Sequence, residues 1–477
     1  MPFKTYYKEI QKNLRSGSTE RSYYSALKLL LEGLNPKLDV FTEHGRIEVG
    51  HPDFEVRLKQ KAVDFPIGWI EAKTPSDKLD KTEKSEQLKR YRGLHNLVLT
   101  DFVEFRLYQN GKRILTARLG TVQKKKLKVV PKGEAAVRQL LTQFLTSEFA
   151  PPRNPKELAL RMAPLTHIIR DVTLQTYHLE NESDDLHAQL EAFRTTLIPD
   201  LKPEQFADMY AQTIAYGLFA AACQPRRPTE KFTREKAAYL IPKTNPFLRK
   251  LFNRIAGPDM DERILPFVNH LVSLLRKADL DTVLQEFGKR TGKEDPVVHF
   301  YEDFLLEYDP KVHKMRGVYY TPEPVVLYIV RSIDHLLKTR FNKPDGLADK
   351  NVLILDPACG TGTFLYYVIQ QIHDTLSAKG QKGAWNTYVS QNLLKRVFGF
   401  ELLMAPYAVA HLKLSLLLKE LGYRFDTDER LGIYLTNTLE EAIKKSEIIF
   451  AQWIANEANA AAEIKRDKPI KIGRAHV

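Results

Sequence analysis

The segment NVLILDPACGTGTF, residues 351–364, limits the fold of this chain more than any other stretch. An apolar run ends in an acid, Asp356. Two glycines, Gly360 and Gly362, then flank Thr361, and a helical pattern, TFLYYVIQQI, begins at once. A buried strand that turns through glycine into a helix is the opening of a parallel α/β sheet. Glycine at 360 and 362 removes the Cβ that would hold a ligand away from the backbone. Ligands of open α/β sheets bind beyond the carboxyl ends of the strands, where Asp356 stands and can meet an ammonium. Two more strand-like runs follow, RVFGFE (396–401) and LGIYLTN (431–437), each reached through a helical segment. The first closes on Glu401, and an acid there suits the two hydroxyls of a ribose. The turn lacks the Lys-Ser/Thr pair of a phosphate loop. GKRTGKED (288–295) imitates one, but its glycine spacing is one residue short and it follows a helical pattern rather than a strand.

At 477 residues the chain exceeds one ordinary core. Residues 1–148 alternate helix and strand. STERSYYSALKLLLEGL predicts a helix capped by Ser18 or Thr19, with an apolar stripe through Ala26, Leu27, Leu30, Leu31 and Leu34. Strand-like runs LDVFTE, DFEVRL, IGWIEAK, LVLTD and EFRLYQNGKR come next, the last two patterned as a hairpin. FAPPRNPKEL places a linker at 149–156. Residues 157–310 are helical in pattern, with PEQFADMYAQTIAYGLFAAA and ERILPFVNHLVSLLRKA as the clearest helices. Residues 311–470 are α/β.

Lys and Arg total 72 against 59 Asp and Glu, a net charge of +13. The basic runs QKKKLK (123–128) and LKRYRG (88–93) favour a polyanionic partner. The two cysteines, Cys223 and Cys359, are isolated. That excludes a disulfide framework or a zinc-ligand cluster and fits a reducing cytoplasm. The N-terminus lacks the apolar core of a signal peptide, and no apolar run is long enough to span a bilayer, so a membrane partner is not expected.

A second group of chemistry-bearing residues lies in HPDF (51–54), WIEAK (69–73) and EQLKRY (86–91). Asp53 and Glu71 have the oxygen ligands that a hard divalent cation such as Mg2+ requires. Glu71 and Lys73, two apart on a strand, point to one face. Lys73 can steady a nucleophile or a crowded phosphorus centre beside the cation. Gln87 and Tyr91 share a helix face one turn apart. A lone E-x-K triplet is most often a solvated strand face; the surrounding Asp, Gln and Tyr argue for chemistry here.

DPACGTGTFL resembles the S-adenosylmethionine-binding motif of the amino-directed DNA methyltransferases. GVYYTPEPVVLYIV (317–330) resembles the segment that precedes that motif in the gamma group. The resemblance implies that Tyr320, Thr321 and Pro322 lie by the methionine end of the cofactor. Asp356, Gly360 and Gly362 would line its centre, with Pro357, Ala358, Thr361 and Phe364 in the same loop. Glu401 would hold the ribose. Asn437, in YLTNTLEE (434–441), would stand on the adenine side. The front of the chain resembles the PD-(D/E)xK nuclease fold, in the branch that adds Gln-x-x-x-Tyr on the next helix. By that resemblance Asp53, Glu71, Lys73, Gln87 and Tyr91 are catalytic, and Glu20 fits the auxiliary acid.

Nuclease, helices, methyltransferase: the order resembles the single-polypeptide restriction–modification enzymes, over most of residues 1–470. FADMYAQTIAYGLFAAA and YEDFLLEYDPKVHKMRGVYYTPEPVV are similar to the same enzymes. Type I single-polypeptide enzymes insert a helicase-like ATPase between the two activities, whereas type IIG or IIL enzymes join them by helices. No phosphate loop stands between residues 148 and 311 here, so the architecture is of the second kind. The expected fold is α/β multidomain: an N-terminal PD-(D/E)xK nuclease fold (1–148), an all-helical connector (157–310) and a truncated, Rossmann-like S-adenosylmethionine-dependent methyltransferase (311–470). The implied partner is double-stranded DNA, and the implied reaction is methyl transfer to the exocyclic amine of a flipped adenine.

The Asn/Asp-Pro-Pro-aromatic motif that grips that amine in the family is missing. The only Asn-Pro pairs are Asn35-Pro36, Asn154-Pro155 and Asn245-Pro246, none followed by a second proline. The expectation is a chain that does not methylate and has no target-recognition domain. Two other readings stay open: an RNA or protein-glutamine methyltransferase sharing the cofactor loop, and a DNA-binding protein that senses the cofactor without catalysis. The last residues, KIGRAHV (471–477), back-translate to AAG ATC GGA AGA GCA CAC GTC, which resembles a common short-read sequencing adapter. Residues from about Ile472 onward are therefore expected to be adapter read-through.

Overall fold

The computed structural model describes residues 2–42, 52–59, 66–75, 77–91, 94–147, 151–179, 185–224, 231–241, 246–257, 260–283, 300, 304–308, 321–425, 429–439 and 449–467. Tyr320 and the 471–477 tail lie outside them. The architecture is mixed α/β in two compact units, residues 1–172 with 262–279, and 173–261 with 280–477.

In the first unit, helices α1 (Pro2–Ser16) and α2 (Tyr24–Leu34) lead into six strands: β1 (Leu38–Thr42), β2 (Phe54–Leu58), β3 (Gly68–Ala72), β4 (Asn96–Thr100), β5 (Glu104–Gln109) and β6 (Lys112–Arg118). They form one sheet in sequence order. Every neighbouring pair is antiparallel except β3 and β4, which run parallel. A parallel pair needs a crossover, and the short helices α3 (Leu79–Glu83) and α4 (Glu86–Tyr91) lie in it. The hairpin of β7 (Gly120–Gln123) and β8 (Lys126–Val129) and the helix α5 (Gly133–Leu145) follow.

Ile10 and Leu14 of α1, Leu27, Leu30 and Leu31 of α2 and Val137, Leu140, Leu141 and Phe144 of α5 pack on Val40, Val56, Ile70, Val98 and Leu107 of the sheet. β3 and β4 are buried along their whole length, as their unbroken apolar runs require. Glu71 is the charged exception.

The helix expected from Ser18 or Thr19 begins later. Glu20–Tyr23 form a 3-10 turn, α2 starts at Tyr24, and neither helix carries a side-chain cap. Thr19 Oγ1 meets Ser22 Oγ at 3.4 Å instead. Of the predicted stripe, Ala26, Leu27, Leu30 and Leu31 are buried and Leu34 packs at the edge of the core.

The next helices are α6 (Pro155–Leu179), α7 (Asp185–Thr196), α8 (Pro203–Ala222), α9 (Arg234–Leu240), α10 (Pro246–Ile255) and α11 (Leu265–Lys277). α11 belongs to the first unit. Its buried His270 stands 3.2 Å from Glu55 Oε2 on β2 and edge-on to Trp69 on β3, with ring centroids 5.3 Å apart.

The second unit continues with α12 (Glu323–Arg340), β9 (Ile354–Asp356), α13 (Thr363–Ala378), α14 (Trp385–Gln391), β10 (Val397–Glu401), α15 (Met404–Glu420), β11 (Ile433–Leu435) and α16 (Ile449–Asp467). The described strands form a parallel sheet in the order β11-β10-β9. Leu355, Phe398, Phe400 and Tyr434 bury against Ala461 and Ile464 of α16. An ion pair between half-buried Arg430 and buried Glu457 holds that helix: Arg430 reaches both oxygens of Glu457, at 2.6 and 3.0 Å, and Tyr407 donates to the same carboxylate at 3.0 Å. Among the described residues no helix is long and apolar enough to cross a membrane.

Candidate functional site

In the first unit the sheet carries acids into a place that its apolar strands would otherwise close. Asp53 stands one residue before β2, just beyond the Phe54–Ile70 pair of the β2–β3 ladder. It is buried, and both of its oxygens are held. Oδ2 accepts the Ala72 N–H at 2.6 Å, and Oδ1 accepts the Tyr24 hydroxyl at 2.5 Å. Tyr24 Oη also lies 3.0 Å from Glu20 Oε1, so one phenol bridges two carboxylates. Glu71, 2% exposed, accepts from Lys73 Nζ at 2.7 Å through Oε1. Its Oε2 is buried with no hydrogen-bond partner. The Lys73 backbone donates to Thr100 O at 2.8 Å, which fixes the lysine at the end of the parallel β3–β4 pair.

Burial raises the Glu71 carboxyl well above its usual range, and the neighbouring Asp53 charge raises it further while Lys73 opposes both. Burial also raises Asp53, against the Tyr24 hydroxyl and the Ala72 N–H, and raises Glu20 against Lys73. Burial lowers Lys73, but Glu71, Asp53 and Glu20 together outweigh this and leave it raised. Two acids and a lysine in one desolvated place thus favour binding a further positive charge. Gln87 Nε2 bonds Tyr91 Oη at 3.2 Å across one turn of α4, with Gln87 exposed and Tyr91 buried.

Sequence reasoning missed Tyr24, whose i, i+4 spacing from Glu20 on the rising helix was the available signal. It also missed Arg21, whose charge lowers Asp53. Among the described residues no group of three or more His, Cys, Asp or Glu side chains is arranged to hold a metal ion.

In the second unit β9 delivers Asp356 to the turn. Gly360 (φ 54°) and Gly362 (φ 79°) take the left-handed backbone that admits glycine most readily. A Cβ at Gly360 would meet nothing within 4 Å, so the turn is open there; one at Gly362 would stand 3.3 Å from Ala410 Cβ. The Cys359 N–H bonds Phe400 O at 2.9 Å and ties the turn to β10. Glu401 accepts three backbone N–H groups: Gly360 at Oε2 (2.9 Å), and Leu402 and Leu403 at Oε1 (2.9 and 2.8 Å). Burial raises its carboxyl, against those three bonds.

Asp356 is 4% exposed. Burial pushes it up to about 7, with the Ala358 N–H opposing and Glu401 adding. Its Oδ2 and the Thr361 Oγ1 are buried without partners. Ala358 is exposed, and Pro357 and Phe364 are half-buried. Thr438 Oγ1 bonds Pro357 O at 2.5 Å, and Asn437 O accepts Lys465 Nζ at 2.7 Å, which holds the end of β11 beside the turn. Thr321 and Pro322 precede α12, where Pro322 O accepts the Val325 N–H at 2.8 Å. Lys413 of α15 went unread in the sequence. It is buried and donates to Thr363 Oγ1 at 3.1 Å, where α13 begins.

The family described as N-6 DNA Methylase matches residues 292–468. This segment is an N-6 DNA methylase domain. Membership implies S-adenosylmethionine as cofactor. The chain is similar to solved structures of restriction–modification enzymes. The cryoEM structure of a DrdV–DNA complex is 22% identical with a TM-score of 0.43, over 98% of this chain and 43% of that one. A nuclease-deletion mutant of the Type ISP enzyme LlaGI with a DNA substrate mimic is 17% identical with a TM-score of 0.46, over 70% and 25%. The ATP-dependent Type ISP enzyme LlaBIII bound to DNA is 18% identical with a TM-score of 0.46, over 72% and 22%. The chain spans less than half the length of each of these proteins. No curated protein matches it.

Proposed function

We propose that this chain is a DNA restriction–modification protein, in which a metal-dependent DNA endonuclease of the PD-(D/E)xK kind is joined to the N-6 methylase domain. The observation that carries the nuclease half is the meeting of Asp53, Glu71 and Lys73 at one end of the parallel strand pair, with Glu20 joined through Tyr24. The donor set fits Mg2+: the Glu71 Oε2 is a buried oxygen without a partner, and Asp53 would turn an oxygen from Tyr24 to the metal. Bound there, the cation would supply positive charge against the scissile phosphate and favour ionisation of water. Lys73 would leave Glu71 for the phosphate, the Ala72 N–H would keep Asp53 in place, Tyr24 would stay with Glu20, and Gln87 and Tyr91 would complete the site from α4.

In the methylase domain, Gly360 would let S-adenosylmethionine lie against the turn. Asp356 Oδ2 and Thr361 Oγ1 would receive its polar groups. A carboxylate offers about four acceptor positions. Glu401 has three filled, so it can take a ribose hydroxyl while keeping its present bonds. Thr321, Pro322 and Asn437 would flank the cofactor. The sequence has no Asn/Asp-Pro-Pro-aromatic motif, so the proposal includes cofactor binding without methyl transfer by this chain.

Duplex DNA incubated with the chain and Mg2+ tests the nuclease half. Cutting that disappears in Lys73→Ala is the expected result. Absence of cutting with any divalent cation, alongside intact DNA binding, would favour the non-catalytic reading.

A further inference from the structure

The basic run noted in the sequence forms the β7–β8 hairpin. Gln123 pairs with Lys126, so Lys124 and Lys125 alone make the loop. Both have left-handed backbone, with φ 47° and 59°. Two-residue loops of this kind favour Asn-Gly, because two positive φ values are costly for residues with a Cβ. Two adjacent lysines add like-charge repulsion to that cost. Local conformation therefore opposes the residues that stand at the tip.

Packing does not account for them. Val122 and Leu127 turn inward onto the core, while Lys124, Lys125, Lys126 and Lys128 are exposed. Lys126 and Lys128, two apart on β8, share the outward face. With Lys132 they make five lysines between residues 119 and 133, with no acid among them. The next acid along the chain, Glu134, is engaged with Arg138 at 2.9 Å.

The hairpin is also held still. The Gln11 side chain of α1 donates to Lys125 O at 3.0 Å and accepts from the Leu127 N–H at 3.0 Å, so one amide ties the tip and the start of β8 to α1. A Cβ built on Gly17 would stand 3.5 Å from Lys125 Nζ, which places that ammonium beside the end of α1. The helix C-terminus favours a cation and gives Lys125 a structural role. It leaves Lys124, Lys126 and Lys128 unexplained.

We infer that this rigid hairpin is a phosphate-backbone contact for duplex DNA, gripping it without regard to sequence. Apart from the Gln123 amide, the exposed polar groups of the hairpin are ammoniums, and such a row suits phosphate charge more than base edges. The inference rests on the DNA-acting function proposed above and adds the surface that holds the substrate.

The test is fluorescence anisotropy of a labelled duplex against salt concentration, with the full chain and two variants, Lys124→Asn/Lys125→Gly and Lys126→Gln/Lys128→Gln. The first variant supplies the preferred loop residues and is expected to unfold at the same or a higher temperature. Each lost phosphate contact should lower the slope of log affinity on log salt by about 0.9. Each double variant should therefore lose up to about 1.8 in slope and bind roughly ten-fold more weakly at near-physiological salt.

A variant that is as stable as the parent and binds more weakly is an outcome a structural role does not produce. Unchanged affinity and slope in both variants would overturn the inference while leaving the DNA-acting function standing. No binding of any duplex by the parent chain would overturn both. Loss of binding to anionic lipid vesicles, with duplex binding intact, would overturn the inference in favour of a membrane surface.

Discussion

Replacing Gly360 with alanine separates the cost of a backbone conformation from the cost of a filled site. Gly360 has φ 54°, and an added Cβ would meet nothing within 4 Å. The free protein should lose only the left-handed penalty, about 1–2 kcal/mol. For a folding unit of this size each kcal/mol moves the unfolding midpoint by about 2–4 °C. The Gly360 N–H can still bond Glu401 Oε2, as it does at 2.9 Å. If S-adenosylmethionine lies against this turn, the new methyl group occupies its space, and affinity should fall by at least about ten-fold, or about 1.4 kcal/mol. Gly362→Ala provides the contrast. There φ is 79° and the Cβ would stand 3.3 Å from Ala410 Cβ, so stability should fall further than in Gly360→Ala. Calorimetric titration with S-adenosylmethionine, beside a thermal melt of each variant, reads both quantities. A stable Gly360→Ala that binds the cofactor as tightly as the parent would refute the placement.

Removing Glu457 should be costly, because the half-buried Arg430 would lose its bidentate partner and keep the Leu431 and Ile433 carbonyls. Glu457→Ala is expected to destabilise the second unit by about 2–3 kcal/mol in urea, and the double change Arg430→Met/Glu457→Met by less. Acid should weaken the same unit through His411. Burial, and then the charge of Arg430, hold its imidazole down to about 3, and Nε2 lies 3.2 Å from Ile433 O. Below about pH 6.5 the unfolded chain takes up a proton that the folded chain refuses until about 3. Stability should fall as pH drops through that window and be insensitive to this group above it. His411→Gln should flatten the slope measured by urea unfolding at several pH values.

Local rules made some parts readable. The β9–turn–α13 unit was legible because a buried strand end, two positive-φ glycines and an immediate apolar helix have few other solutions. β2, β3, β4 and β5 announced themselves as short apolar runs between turn residues. Glu71 and Lys73 share a face by strand period alone.

The rest depends on partners far along the chain. α1 is mostly polar; its buried face, Phe3, Tyr6, Ile10 and Leu14, is apparent once Tyr6 Oη is seen to bond Phe102 O at 2.7 Å. Tyr24 becomes part of the acid cluster only because α2 lies across Asp53. α11 reads as one more connector helix, yet His270 seats it on Trp69. No local pattern foretells left-handed lysines at the tip of β7–β8, since local preference opposes them.

We propose a cutting activity and a cofactor-binding methylase domain in one chain that does not transfer methyl groups. One incubation tests it: supercoiled plasmid, the 477-residue chain, Mg2+ and S-adenosylmethionine labelled at the methyl group, with the DNA resolved on a gel and counted. Cut DNA without label is the expected result. Labelled, uncut DNA would contradict it.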